Sequence, residues 1–257
     1  MNEKEKILSL IMIVKDEESN LKKCLESCKD IFDEIIIVDT GSKDNTKKIA
    51  KKYTDKVCSY KWRDDFSKAR NYAIGKSTCK WIFWLDADEE LLGSNLLFNW
   101  KQQIKQKNIK HKALLCPVIL YFNNKPIDRV WKVKLFKRGL KFKGKIHESI
   151  DCSKIKDDEI AKTDFTIVHW GYNDDNKKLE RFSRNLDLLL KQQISLKTEK
   201  EIEFNIYNLG CTYYYGGFYY VALKYFEKII ESKNERFFTK KAQSYYVDCI
   251  KKLGKVI

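Results

Sequence analysis

Proline and glycine are scarce in this chain, at two and ten of 257 residues, which leaves little room for a flexible linker. Histidine is scarce too: His111, His147 and His169 are the only three. No apolar run approaches membrane-spanning length. The polar start Met1–Lys6 leads into Ile7–Val14, too short for a signal peptide or a span. Cysteine is present, but it is not grouped. Of eight, only Cys24 and Cys28 lie close, at i,i+4, and no His or Cys cluster completes a zinc site. Scattered cysteines without an export signal read as reduced thiols, so the expected location is cytoplasmic.

What is abundant is apolar and basic. With 43% hydrophobic and 13% aromatic residues, the chain can bury a sizeable core in one or two domains. Lysine and arginine total 51 against 36 acids, a formal charge of +15, which favours anionic partners. Nucleic acid is not expected among them, because no recognition motif accompanies the charge. The basic run Arg129–Lys145 suits an anionic acceptor or peripheral contact with an acidic membrane, or else is a solvated strand face.

The first hundred residues alternate strand and helix patterns. Ile7–Val14, Glu34–Val38, Lys56–Tyr60 and Lys80–Leu85 read as strands. Between them, Ser19–Lys29, a segment carrying Ile49 and Ala50, and Phe66–Ile74 read as helices. Repeated β-α units at this spacing predict a mostly parallel α/β sheet flanked by helices. Strands at Ala113–Phe122, Val130–Lys137 and Thr163–His169 follow, with Lys141–Ile150 between them. After a polar break at Asn173–Asn176 everything reads helical, so the expected division is 1–175 and 176–257. In the tail, Asn208-Leu209-Gly210-x-x-Tyr213 and Gly217-x-Tyr219-x-x-Ala222-x-x-x-Phe226 have the residue types and spacing of a tetratricopeptide repeat. A solitary repeat must lean on other structure, so the tail is also where a second copy or a partner protein is expected.

Chemistry gathers at strand ends. Trp81-Ile82-Phe83-Trp84-Leu85 is an apolar run that stops at Asp86-Ala87-Asp88-Glu89-Glu90. Clustered carboxylates at the end of a buried strand are costly unless a cation is near, and Asp86-x-Asp88 suits Mg²⁺ or Mn²⁺ with phosphate oxygens completing the shell. Glu89 and Glu90 are expected to cap a following helix and to be solvated. Asp39 ends the second strand before Thr40-Gly41-Ser42, where an aspartate either caps a helix or accepts from a base or ribose. Arg70 offers a fork for diphosphate oxygens, or salt bridges to Asp64 or Asp65 on a helix surface. No glycine occurs in Lys15-Asp16-Glu17-Glu18, which argues against the phosphate-gripping loop of a nucleotidyltransferase.

Taken in order, Ser9–Glu18, Val38–Thr46, Trp62–Asn71, Trp81–Leu91, Phe136–Glu148 and His169–Tyr172 resemble the family 2 glycosyltransferases of GT-A fold. The branch they resemble is that of lipopolysaccharide-core and peptide glycosyltransferases with tetratricopeptide-like tails. The resemblance implies an inverting transfer from a nucleotide-diphosphate sugar, with a UDP-sugar favoured, to a glycan, lipid-linked or peptide acceptor. It implies a nucleotide-sugar pocket lined by Val14, Lys15, Glu17, Asp39, Arg70, Asn71, Asp86 and Ala87. Asp86 would contact ribose or metal, Asp88 would ligate the metal with help from His147 or His169, and Glu148 of Ile-His-Glu would be the general base, Asp86 counting with it as catalytic. The rival is a binding scaffold built on an inactive domain of this type, for which the clustered acids would have no use.

Overall fold

The computed structural model describes residues 6–106, 109–122, 124–171 and 178–254. The chain divides into two compact units, Met1–Asn173 and Asp174–Ile257. The polar break expected at Asn173–Asn176 lies outside the described residues, as does Tyr172.

The first unit opens with β1 (Leu8–Val14), α1 (Leu21–Glu26), β2 (Glu34–Asp39), α2 (Thr46–Ala50), β3 (Val57–Ser59), α3 (Phe66–Lys76) and β4 (Trp81–Trp84). It continues through β5 (Glu89–Leu92), α4 (Ser94–Gln106), β6 (Ala113–Phe122), β7 (Lys125–Lys137), β8 (Phe142–Lys143) and β9 (Ser149–Ile150). A 3-10 turn at Asp157–Glu159, β10 (Ile160–Lys162) and β11 (Thr166–His169) complete it. Among the described residues, nine strands form one sheet in the order β3-β2-β1-β4-β7-β6-β11-β5, with β10 on β6. The β1, β2, β3 and β4 pairings are parallel, as are those of β6 with β10 and β11. Antiparallel contacts occur where β7 meets β4 and β6, and where β5 meets β11.

The central strands are continuous apolar runs because both faces are covered. On one face Leu10, Met12, Phe83 and Leu85 pack with Leu21, Cys24 and Leu25 of α1 and Leu97 of α4. On the other, Ile11, Ile36, Val38 and Trp84 pack with Ala73 and Ile74 of α3 and with Phe142. The helix face expected at Leu21, Cys24, Leu25 and Cys28 is the buried one.

Two expectations need correction. Glu89 and Glu90 do not cap a helix: they begin β5, which pairs antiparallel with β11 so that Glu89 lies opposite His169. The Lys141–Ile150 stretch is the separate two-stranded β8-β9 pair, joined through a turn in which His147 holds φ +51°.

The second unit comprises α5 (Lys178–Gln193), α6 (Glu199–Tyr215), α7 (Tyr219–Glu231) and α8 (Thr239–Lys252). Thr198 caps α6, its side chain accepting from the Glu201 amide while Glu201 accepts from the Thr198 amide. Gly210 lets α7 approach closely: a Cβ there would meet the Phe226 ring at 2.8 Å. Phe226, Phe238, Ala222 and Ala242 lie at the centre of this core.

Candidate functional site

The parallel strands β1, β2 and β4 deliver their carboxyl ends to one edge of the sheet, where open α/β sheets take ligands. The register sets Val14 beside Asp39. The loops beyond them are knitted together: the Asp16 amide donates to Ser42 Oγ at 3.0 Å, the Lys43 amide to Asp16 Oδ1 at 2.7 Å, and the Glu17 amide to Thr46 Oγ1 at 2.8 Å. Val14 is buried and Lys15 exposed at the lip.

Asp39 is 1% exposed. Its Oδ1 accepts from the amides of Gly41 at 3.0 Å and Ser42 at 3.1 Å and faces Lys47 at 3.2 Å. Burial would raise this carboxyl, but the donors from Ser42 and Gly41 outweigh it and hold the group below the usual aspartate value. Its Oδ2 is buried with no hydrogen-bond partner.

Arg70 leaves α3 into the centre of the site. Its Nη2 donates to Asp86 Oδ1 at 2.7 Å and its Nε to Glu148 Oε1 at 2.5 Å. Its guanidinium carbon lies 4.3 Å from the centre of the Trp84 ring and 5.4 Å from that of Phe142. Burial opposes the charge on Arg70, yet Asp86 and Glu148 overcome that and raise its affinity for the proton. The Nη1 group is buried without a hydrogen-bond partner. The salt bridges considered to Asp64 or Asp65 give way to Asp86 and Glu148, because Arg70 faces inward; Asp65 instead caps α3 through the Lys68 amide.

Asp86 keeps 30% side-chain exposure, and Ala87 beside it is buried. Burial pushes the Asp86 carboxyl up, but the charges of Arg70 and Lys134 prevail and hold it well below the usual range. Asp88 differs. Burial raises its carboxyl, and the neighbouring Asp86 and Glu89 add to the rise, against an opposing contribution from His169. Among the described residues, the histidine paired with Asp88 is His169, with Nδ1 3.5 Å from Oδ1. Gly171 makes room for this pair: a Cβ there would fall 2.0 Å from Asp88 Oδ2 and 2.8 Å from His169 Nε2. His147 is exposed in its turn. Asn71, grouped with Arg70 from the sequence, spends its amide on the backbone of Phe142, donating to its oxygen and accepting from its nitrogen, each at 2.9 Å.

Sequence reasoning missed Glu89 and Lys134. Both are buried, at 1% and 0% exposure, and Lys134 Nζ donates to Glu89 Oε2 at 2.5 Å. The same Glu89 oxygen accepts from the Asp86 amide at 2.9 Å. Lys134 Nζ also lies 3.4 Å from the centre of the Trp84 ring. The available signal was a cation inside the apolar segment Val133-Lys134-Leu135-Phe136, a natural partner for a buried acid.

No group of three His, Cys, Asp or Glu among the described residues converges as a complete metal cage. Asp88 and His169 are two donors, a set that suits a hard divalent ion completing its shell with phosphate oxygens and water. The carboxylates crowded around Asp88 favour such an ion.

Comparisons with known proteins converge on one family. Residues 9–155 match the family model described as glycosyl transferase family 2. A TPR repeat-containing protein of Synechococcus elongatus is 34% identical over 197 residues, covering 71% of this chain and 48% of that protein. The SPbeta prophage-derived glycosyltransferase SunS of Bacillus subtilis is 29% identical over 197 residues, covering 73% of this chain and 45% of that protein. The chain thus spans about half the length of the curated relatives it matches. Among solved structures, glucosyl-3-phosphoglycerate synthase from Mycobacterium tuberculosis in complex with Mn²⁺ and uridine-diphosphate-glucose aligns with a TM-score of 0.51. The identity is 13%, covering 76% of this chain and 81% of that one, so the likeness is one of fold.

Proposed function

Because the chain belongs to glycosyltransferase family 2, we propose that it transfers a sugar from a nucleoside-diphosphate donor to an acceptor, inverting the anomeric carbon. The observation that carries this reading is a pair of unsatisfied buried atoms at the strand-end edge. The acceptor Asp39 Oδ2 and the donor Arg70 Nη1 lack partners although the rest of both side chains is paired. Buried polar groups seldom stay unpaired, so a ligand with a hydrogen-bond donor at one end and an anionic oxygen at the other would satisfy both. A nucleoside diphosphate has that chemistry, with Val14, Lys15, Glu17 and Ala87 lining the pocket. A UDP-sugar is the favoured donor, since the related fold of glucosyl-3-phosphoglycerate synthase holds uridine-diphosphate-glucose with Mn²⁺.

Asp88 and His169 would hold Mg²⁺ or Mn²⁺, whose chemistry here is to neutralise charge growing on the departing diphosphate. Arg70 supplies a fixed cation toward the same charge, pre-oriented by Asp86 and Glu148 and therefore costing little reorganisation. Glu148 is the proposed base, taking the proton of the acceptor oxygen or sulfur as it attacks. Arg70 Nε holds that carboxylate in place at 2.5 Å. A glycan, lipid-linked or peptide acceptor fits the reading. The helical second unit, tetratricopeptide-like in spacing, is proposed to hold an acceptor or a partner. No helix among the described residues is long and apolar enough to cross a membrane.

The test is thermal-shift screening of the full chain against nucleoside diphosphates and their sugars, with and without Mn²⁺. A specific diphosphate should raise the melting temperature by binding the native state, more so with metal. Glu148→Gln should lose transfer while still binding nucleotide. Silence across the whole panel would refute the reading and favour a scaffold.

A further inference from the structure

The Glu89–Lys134 ion pair sits behind the site and has no part in the chemistry proposed above. An isolated buried ion pair is weak support for stability, since apolar groups of similar volume often serve as well. This pair does something apolar groups would not. Glu89 Oε2 accepts at once from Lys134 Nζ, at 2.5 Å, and from the backbone amide of Asp86, at 2.9 Å. The Asp86–Glu89 turn is also closed by the Glu89 amide donating to the Asp86 carbonyl at 3.0 Å. Glu89 Oε1 lies 3.9 Å from His169 Nδ1, so one carboxylate holds the Asp86 amide and borders the histidine beside Asp88. Lys134 is itself fixed by the Trp84 ring, which also lies against the guanidinium of Arg70.

β7 carries a one-residue bulge at Lys134. Along the β6-β7 ladder, Leu114 pairs with Leu135 but Leu115 pairs with Val133, so Lys134 is the extra residue. Lys134 lies two residues before Phe136, which packs in the same core layer as Trp84, so alternation from Phe136 carries its ammonium to the Trp84 ring.

We infer that Glu89 and Lys134 are a positioning pair, setting the backbone and charge of the Asp86-Ala87-Asp88 turn for the metal and diphosphate. This rests on the proposed transferase reading, and it gives the pair a role separable from folding.

The test compares Glu89→Gln/Lys134→Met, which removes both charges at nearly constant volume, with Glu89→Asp, which keeps the charge balance but withdraws the carboxylate from the Asp86 amide. For each, the melting temperature of the full chain is measured. Calorimetry then gives the affinity for whichever nucleoside diphosphate the wild type binds, with and without Mn²⁺. Positioning predicts that the Mn²⁺-dependent affinity falls about tenfold or more in both variants, whereas the melting temperature of Glu89→Asp stays close to that of the wild type. A wild-type affinity in Glu89→Asp, or in a stably folded double variant, would overturn the inference and leave the pair a folding element. Absence of any diphosphate binding by the wild type would instead overturn the reading on which it rests.

Discussion

Arg70→Met removes the cation shared by Asp86 and Glu148 while keeping most of the apolar stem against Trp84. In the wild type both carboxylates are bonded to this buried guanidinium, at 2.7 and 2.5 Å, and Glu148 retains only 9% side-chain exposure. Stripping one partner from a buried pair costs about 3–5 kcal/mol, because the remaining charge is left without compensation. Asp86 is 30% exposed and recovers part of its hydration, which places the expected loss near the lower bound, about 3 kcal/mol. At this chain length that corresponds to a fall in melting temperature of roughly 6–12 °C. Because Asp86 is held below its ordinary value in the folded state, its contribution is fully present above the unfolded aspartate value of about 3.9. It is lost as pH falls through the depressed folded value. The gap between wild type and variant should therefore be constant from pH 7 to about 5 and narrow below about 4. Arg70→Lys keeps the charge but lacks the fork that spans two carboxylates, and should recover only part of the loss. Urea denaturation of the ligand-free protein across this pH range, with a thermal melt at pH 7, is the assay. A pH 7 melting temperature within 2 °C of wild type for Arg70→Met, or a gap that widens in acid, would refute the reasoning.

Gly171→Ala should abolish Mn²⁺-dependent nucleotide binding with little change in far-UV circular dichroism, because its Cβ would fall 2.0 Å from Asp88 Oδ2; calorimetric titration decides it. Asp88→Asn should raise the melting temperature of the metal-free protein at neutral pH while losing the Mn²⁺-induced shift, since it relieves a half-buried carboxylate crowded by Asp86 and Glu89. An unchanged Mn²⁺ shift would remove Asp88 from the metal role. Gly210→Ala should destabilise the helical unit by about 1–3 kcal/mol through overpacking against Phe226, read as an earlier melt of helical signal, and a neutral result would mean that α6 and α7 part without cost.

The strand ends were legible because their physics is local. Leu8–Val14, Glu34–Asp39 and Trp81–Trp84 are apolar runs buried on both faces, and each meets polar residues where the sheet edge begins. Asp39, Asp86 and Asp88 were visible as acids that stop such runs. Asp39 takes its donors locally, from Gly41, Ser42 and Lys47, but other partners of the site were not visible, because they come from distant chain segments: Arg70 reaches Glu148 across 78 residues, and Lys134 reaches Glu89 across 45. Lys134 illustrates why pattern alone fails. Val130-Trp131-Lys132-Val133-Lys134-Leu135 places lysines at every second position, which in a regular strand would put Lys132 and Lys134 on one face together. Lys132 is exposed and Lys134 is fully buried. The two charges stay near each other and both act on Asp86, so what separates them is depth along the strand, Lys134 lying two residues from the buried Phe136. The misreading of Glu89 has the same root. An acid next to Asp86-Ala87-Asp88 is expected in water unless a buried cation waits for it, and Lys134 is that cation. Lys134→Met would therefore strip Glu89 of its partner without altering any residue of the Asp86-Ala87-Asp88 turn itself.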